Sequence, residues 1–134
     1  ARDRVRARLQ GLGPMRQLVH GDLIPDNVLV DGGRLNVIDF DDCGWSWPLF
    51  ELATSLFPLL LSGGFDAGLE GFLAGYGEVR AFPEDELALL PDMLVARGLS
   101  YLGWPVGRPE IHSQRRGLRE FAAAAVELVQ LAGG

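Results

Sequence analysis

The sequence predicts a mostly helical α+β fold, with a small β-element at the front and a helical body behind it. Two patterns predict this class. Short apolar runs bounded by turn residues occur only between residues 18 and 38. From Pro48 onward, apolar residues recur three and four positions apart, as on one face of a helix. A length of 134 residues suits one hydrophobic core, so we expect residues 1–134 to form a single domain.

The elements in front of the helical body follow from local patterns. Val5, Leu9 and Leu12 recur at helical spacing, which predicts a helix over residues 2–12. Three strands are then predicted, at residues 18–20, 28–30 and 35–38. Asp-Gly between the last two apolar runs predicts a hairpin, because these turn residues tolerate a positive φ.

The helical body is predicted as four segments. The first carries its apolar stripe from Leu49 to Leu60 and ends at Gly63-Gly64. The next is capped by Asp66 and runs to about Tyr76. Pro83 and the acids after it open a third segment, which we expect to be interrupted at Pro91 and to resume as far as Trp104. A last helix, capped by Ser113, has its apolar face at Leu118, Phe121, Ala122, Ala125 and Val129.

Composition excludes several classes of protein. The net charge of −6 argues against a nucleic-acid partner, which normally meets a basic face. No apolar run approaches the roughly 20 residues of a membrane span, and we expect a cytoplasmic protein with no membrane partner. The single cysteine, Cys43, excludes an internal disulfide. All 12 basic residues are Arg, and without lysine no P-loop can be completed.

Oxygen-bearing side chains gather around the predicted hairpin. Asp22 and Asn27 precede its first strand, and Asp39 follows its second. Because the hairpin turns the chain back, we expect Asp39 to lie beside the loop that holds Asp22 and Asn27. Carboxylate and amide oxygens suit a hard cation such as Mg²⁺. The residues therefore predict a divalent-metal site with one carboxylate left to handle a proton.

Two motifs in this region resemble those of a known family. The run His-Gly-Asp-Leu at 20–23, with Asn27 following, resembles the catalytic loop of kinases, and Ile-Asp-Phe-Asp at 38–41 stands where kinases carry a metal-binding aspartate. The Gly after His and the later Pro-Leu-Phe-Glu-Leu-Ala at 48–53 resemble the aminoglycoside phosphotransferase and choline kinase family of small-molecule kinases. Residues 97–104 resemble that family more loosely.

The resemblance implies a fold and a set of roles. The fold would be a protein-kinase-like carboxy-terminal lobe. Asp22 would be the catalytic aspartate, His20 would support the loop through hydrogen bonds, and Asn27 and Asp39 would hold Mg²⁺ against ATP. The reaction would transfer the γ-phosphoryl group of ATP to a hydroxyl of an aminoglycoside, an amino alcohol or a homoserine-like acceptor.

The resemblance also implies that the amino-terminal lobe of such a kinase is absent from these residues. A kinase of this type has an amino-terminal lobe with a glycine-rich loop and a lysine that pairs with phosphate, and neither occurs in this chain. We therefore expect the chain to be the carboxy-terminal lobe alone, to be inactive and to bind ATP weakly by itself. A lone lobe exposes apolar surface, so we also expect it to self-associate.

Alternatives remain open at several positions. Asp41 either stands behind the metal ligands or is an exposed turn acid. Trp45 and Trp47 either line an acceptor pocket or pack between the hairpin and the following helix. Glu51 either hydrogen-bonds the loop or is an exposed acid at a helix start. Two other functions are open as well: a non-catalytic kinase-like module, and a phosphatase of the haloacid-dehalogenase type that uses the Asp-Phe-Asp run.

Overall fold

The structure, a computed structural model, describes residues 2–14, 17–103, 123 and 126. These residues belong to two compact units, one of Ala1–Leu12 with Pro83–Gly134 and the other of Gly13–Phe82. The single domain expected from the sequence stays a prediction. The elements in chain order are α1 (Arg2–Leu9), β1 (Gln17–Val19), a 3-10 turn (Pro25–Asn27), β2 (Val28–Asp31), β3 (Arg34–Val37), β4 (Gly44–Ser46), α2 (Pro48–Ser62), α3 (Phe65–Gly77), α4 (Glu84–Leu87) and α5 (Leu90–Gly103).

The predicted hairpin is confirmed in the second unit. Strands β2 and β3 pair in antiparallel register, from Val28 opposite Val37 to Asp31 opposite Arg34. The turn is formed by Gly32 and Gly33, at φ values of 53° and 80°, and not by the predicted Asp-Gly pair, because Asp31 is the last residue of β2 and pairs with Arg34. A two-residue turn with both φ values positive matches the right-handed twist of the strands. The local sequence therefore determines the register of this hairpin.

A second pair of strands was not predicted. Strand β1 pairs with β4 in antiparallel register, with Leu18 opposite Trp45. Strand β4 has only three residues and contains a glycine, so no apolar pattern predicts it. This pairing places residues 20–22 beside residues 39–43, because the two segments continue from the same end of the β1–β4 pair.

Helix α2 supplies most of the buried side chains of this unit. It begins at Pro48, whose missing N–H is not needed in a first turn, and it ends where Gly63 takes a φ of 76°. Its buried apolar residues are Leu49, Leu52, Ala53, Leu56 and Phe57. Helix α3 follows with Asp66 in its first turn; its N-cap is Gly64 rather than the predicted Asp66, so the helix begins two residues earlier than the sequence suggested.

The other unit is held by α1 and α5. Val5 of α1 and Met93, Leu94 and Val95 of α5 are buried, and Arg8 forms an ion pair with the buried Asp92 at 3.1 Å. The predicted interruption at Pro91 is wrong by two residues, because the turn falls at 88–89 and Pro91 is the second residue of α5. Proline fits a first helical turn, where its N–H would have no partner.

The mostly helical α+β class is confirmed. Of the helix predicted from Ser113, only residues 123 and 126 are described, and both are helical; its other residues and Trp104 lie outside the described part of the chain. None of the helices in the described ranges has the length and apolar character needed to cross a membrane.

Candidate active site

The hairpin brings two loops together, as the sequence predicted. The first loop comprises residues 20–27, before β2, and the second comprises residues 38–43, after β3. Because Val28 pairs with Val37, the next residues out, Asn27 and Ile38, also face each other. The Ile38 amide donates a hydrogen bond to the Asn27 carbonyl at 3.0 Å. Asp39 is the next residue, so the hairpin delivers it to the end of the sheet where Asn27 lies.

The Asn27 side chain holds Asp22 in the first loop. Asn27 is buried, and its Nδ2 donates to the backbone carbonyl of Asp22 at 2.8 Å and to the carboxylate Oδ2 of Asp22 at 3.1 Å. The amide nitrogen is thus committed to Asp22, and Oδ1 is the oxygen that Asn27 has for another partner. The 3-10 turn at Pro25–Asn27 makes this contact possible, because it folds residue 27 back over residue 22.

His20 connects the first loop to the second. Its Nε2 donates to the Ile38 carbonyl at 2.8 Å, and its Nδ1 accepts from the Asp22 amide at 3.3 Å. Since a carbonyl only accepts, these two bonds select the tautomer that carries its proton on Nε2. The ring also lies 4.7 Å from the Phe40 ring, centroid to centroid, at 55°. His20 therefore contacts both neighbours of Asp39.

Helix α2 anchors the first loop on both sides of Asp22. Oε2 of Glu51 accepts from the amides of His20 at 2.5 Å and Gly21 at 3.2 Å. One turn further along α2, the Ser55 hydroxyl donates to the Leu23 carbonyl at 2.7 Å. The first of the two alternatives for Glu51, a hydrogen bond to the loop, is confirmed. Ser55 was not predicted, because its partner is 32 residues away and no local pattern signals the bond.

The second loop has a different character. Asp39 has a φ of 63° and is the one non-glycine residue with positive φ in the described ranges. This conformation costs an L-residue of order 1 kcal/mol, and Asp tolerates it better than most side chains. Residues 39–43 are all exposed, and Asp39, Asp41 and Asp42 make this end of the sheet strongly negative.

Gly21 is where the two loops touch most closely. It has a φ of 83°, and a Cβ at this position would overlap the backbone carbonyl of Asp42. Only glycine combines this φ with this close approach. The Gly that follows His in the sequence therefore has a structural cause in this chain: it leaves room for the second loop.

The remaining predicted residues lie around these loops. Asp41 is exposed, and Trp45 is 68% exposed on β4. Trp47 is half-buried, and its indole N–H donates to the Gly13 carbonyl at 2.6 Å. The thiol of Cys43 is free and exposed.

The donor set predicted for a cation, Asn27 and Asp39, stays a prediction. Within the ranges that the structure describes, no group of three or more His, Cys, Asp or Glu side chains is arranged to hold a metal ion. An amide oxygen and a carboxylate are both hard donors. Mg²⁺ commonly takes one or two such ligands from a protein and completes its octahedron with phosphate oxygens and water. The chemistry of the two side chains therefore fits this ion.

Comparison with known proteins places the chain in a family. The model of the phosphotransferase enzyme family matches residues 1–90. A homoserine kinase from Methylobacillus glycogenes is 32% identical over 133 residues, a match that covers 87% of this chain and 42% of the relative. An uncharacterized protein from Deinococcus radiodurans is 30% identical over 115 residues, covering 81% of this chain and 34% of that protein. The chain thus spans less than half the length of these curated relatives.

The fold agrees with that placement. The solved complex of the amicoumacin kinase hAmiN with AMP-PNP, Ca²⁺ and Ami superposes with a TM-score of 0.74 at 22% identity, over 93% of this chain and 42% of that one. The described elements are therefore those of a kinase-like fold, and the family resemblance of the two loop motifs is confirmed. With two thirds of its residues matched by the family model, the chain belongs to the phosphotransferase enzyme family.

Proposed function

We propose that the chain is the catalytic-loop lobe of an ATP-dependent kinase that phosphorylates a hydroxyl group of a small molecule. The observation that carries this proposal is the arrangement of Asp22 and Asn27, with the hairpin returning Asp39 to the same end of the sheet. Support also comes from the family match and from the relatives, two of which are named as kinases.

Asp22 is the proton acceptor in this proposal. The acceptor hydroxyl oxygen forms a bond to the γ-phosphorus of ATP, the bond from that phosphorus to the β,γ-bridging oxygen breaks, and ADP leaves. The hydroxyl proton passes to the Asp22 carboxylate. Positioning dominates such a transfer. It is supported here by the bonds that Asp22 accepts from Asn27 and by the bond that the Asp22 amide donates to His20. His20 acts as a support rather than as a base, since both of its ring nitrogens bond the backbone.

Asn27 and Asp39 would hold Mg²⁺ next to the ATP phosphates. Bound there, the ion would offset negative charge on the β- and γ-phosphoryl oxygens. Asn27 contributes Oδ1, because its Nδ2 is committed to Asp22. Asp39 contributes a carboxylate that its left-handed backbone turns away from the regular path of β3. Asp41, Trp45 and Trp47 are the residues proposed for the surroundings of the metal or for the acceptor side.

A homoserine-like amino alcohol is the first acceptor to test. A relative that is 32% identical over 87% of the chain is named a homoserine kinase. Aminoglycosides and choline-like amino alcohols are the next acceptors, because the loop motifs resemble those of the aminoglycoside phosphotransferase and choline kinase family. The exposed carboxylates of the second loop favour an acceptor with a positive charge.

The test is a coupled assay of ADP release with Mg²⁺, ATP and each acceptor class. It uses the protein encoded by the complete reading frame, since these residues span less than half the length of the relatives. We expect Asp22→Asn to lower kcat by about 10³-fold with little change in the KM for ATP, because it removes the proton acceptor. The matched control is Asp26→Asn, an exposed acid in the same loop that contacts neither Asn27 nor His20 in the bonds described above.

Each outcome bears on the proposal. A loss of turnover with Asp22→Asn but not with Asp26→Asn supports it. Full activity of the Asp22 variant, or acceptor-independent release of phosphate, would contradict it and favour a non-catalytic or a hydrolytic role.

Self-association of the 134 residues stays a prediction. It is supported by the exposed apolar side chains of the hairpin, of which Val30 and Leu35 are 72% and 71% exposed on one face.

A further inference from the structure

Ser55 differs from the other hydroxyl residues of the described helices. Thr54 donates to the Phe50 carbonyl, Ser62 to the Leu59 carbonyl and Ser100 to the Arg97 carbonyl, each within its own helix. Such back-bonding is the ordinary use of a hydroxyl in a helix. Ser55 instead donates to the Leu23 carbonyl at 2.7 Å, in the first loop of the candidate site. Its hydroxyl therefore stabilises the loop rather than α2.

The bond holds one particular peptide group. The Leu23 carbonyl and the Ile24 N–H belong to the same planar unit. The Ser55 hydroxyl donates to the Leu23 carbonyl oxygen of this unit. The Ile24 N–H of the same unit donates to the Asp22 carbonyl at 2.9 Å. The Asp22 carbonyl also accepts from Asn27 Nδ2 at 2.8 Å. The peptide group between Leu23 and Ile24 is thus fixed at both ends, and its orientation determines where the Ile24 N–H meets the Asp22 carbonyl.

Ser55 and Glu51 act on opposite sides of Asp22. They are four residues apart on α2 and therefore lie on one face of the helix. Glu51 holds the amides of His20 and Gly21, which come before Asp22, and Ser55 holds the carbonyl of Leu23, which comes after it. The loop has no regular ladder of backbone hydrogen bonds at these residues. The bonds to Glu51 and Ser55 hold it in place instead.

We propose that Ser55 is a positioning residue for Asp22. Its hydroxyl fixes the peptide group between Leu23 and Ile24, and through the bond from the Ile24 amide to the Asp22 carbonyl it keeps the Asp22 carboxylate in the orientation that Asn27 binds. The catalytic importance of this orientation rests on the proposed function. The effect of Ser55 on the conformation of the loop does not rest on the proposed function, because it depends only on hydrogen bonds.

The test compares Ser55→Ala, Ser55→Thr and Ser62→Ala by amide hydrogen exchange, followed by NMR. In Ser55→Ala we expect exchange at Ile24 and Asn27 to quicken by about tenfold relative to amides in the centre of α2, because a bond of ordinary strength is lost from the loop. Ser55→Thr keeps the hydroxyl and restores slow exchange. Ser62→Ala removes a hydroxyl of the same helix that bonds only within it, and leaves the loop amides unchanged.

A second readout is the phosphotransfer assay on the same variants of the complete protein. We expect Ser55→Ala to lower kcat by about tenfold with the KM for ATP unchanged, and Ser55→Thr to recover most of the loss. Unchanged loop exchange in Ser55→Ala, or equal quickening across α2 and the loop, would overturn the inference. So would quicker loop exchange with an unchanged kcat in a protein whose turnover is lost with Asp22→Asn.

The exchange experiment also separates this inference from the proposed function. If Asp22→Asn abolishes turnover while Ser55→Ala leaves loop exchange and kcat as they were, the function stands and the role of Ser55 falls. If Ser55→Ala loosens the loop while Asp22→Asn keeps full activity, the anchoring by Ser55 stands and the catalytic role of Asp22 falls.

Discussion

The two loops of the candidate site are held in different ways. The first loop is anchored to helix α2 through Glu51 and Ser55, and two of its own residues, His20 and Asn27, are buried. The second loop is exposed from residue 39 to residue 43, and its contacts with the first loop are made through His20, Gly21 and Asn27. Helix α2 therefore stabilises the first loop, and the first loop stabilises the second.

This order has a consequence for function. The residue proposed to accept the proton belongs to the loop that the protein itself holds in place. The carboxylate proposed for the metal belongs to the loop that is exposed and that carries the backbone strain at Asp39. Strain of this kind persists where the surrounding structure imposes it. A rigid base beside a more accessible metal ligand suits a reaction in which the metal arrives with the nucleotide.

The most severe test of this comparison is Gly21→Ala, at the point where the loops touch. The new Cβ would overlap the Asp42 carbonyl, and Ala disfavours a φ of 83°. We expect a loss of about 3 kcal/mol in the free energy of unfolding, measured by urea denaturation. Gly33→Ala is the matched control, since φ is 80° there but nothing lies within 4 Å. Gly33→Ala should lower the free energy of unfolding by about 1 kcal/mol. Equal losses in the two variants would show that the close approach of the loops does not affect stability.

The second test removes the anchor of the first loop. Glu51→Ala leaves the amides of His20 and Gly21 without their acceptor, and we expect the free energy of unfolding to fall by about 2 kcal/mol. Glu51→Gln keeps an acceptor oxygen without the charge and should lose about 1 kcal/mol. Glu70→Ala, at an exposed acid of α3, should stay within about 0.5 kcal/mol of the parent protein. A Glu51→Ala variant as stable as the Glu70 control would mean that α2 does not support the loop.

The smallest effect is expected in the second loop. Asp39→Gly relieves the strain at a φ of 63° but adds freedom to the unfolded chain, so the two terms nearly cancel and stability should change by about 0.5 kcal/mol or less. Asp39→Ala keeps the strain and loses the polar side chain that tolerates it, and should be about 1 kcal/mol less stable than Asp39→Gly. Chemical denaturation of the pair measures this difference. If Ala proved as stable as Gly, the left-handed backbone at residue 39 would not be a source of strain.

Local patterns in the sequence determined a large part of this protein. Gly32-Gly33 between apolar runs determined the hairpin and its register, Pro48 and Gly63 determined the limits of α2, and the ordered motifs determined which residues gather at the hairpin. These features depend on backbone preferences within a few residues. The family resemblance of the motifs, confirmed by the match over residues 1–90, rests on the same short segments.

Only the tertiary structure decided how the site is held. The pairing of β1 with β4 joins segments 27 residues apart at Leu18 and Trp45, and the bonds from Glu51 and Ser55 span about 30 residues. A hydroxyl or a carboxylate has no preference for a distant carbonyl or amide until packing brings the two together. The same holds for the positive φ of Asp39, because the sequence shows that Asp tolerates this conformation and only its neighbours in space impose it.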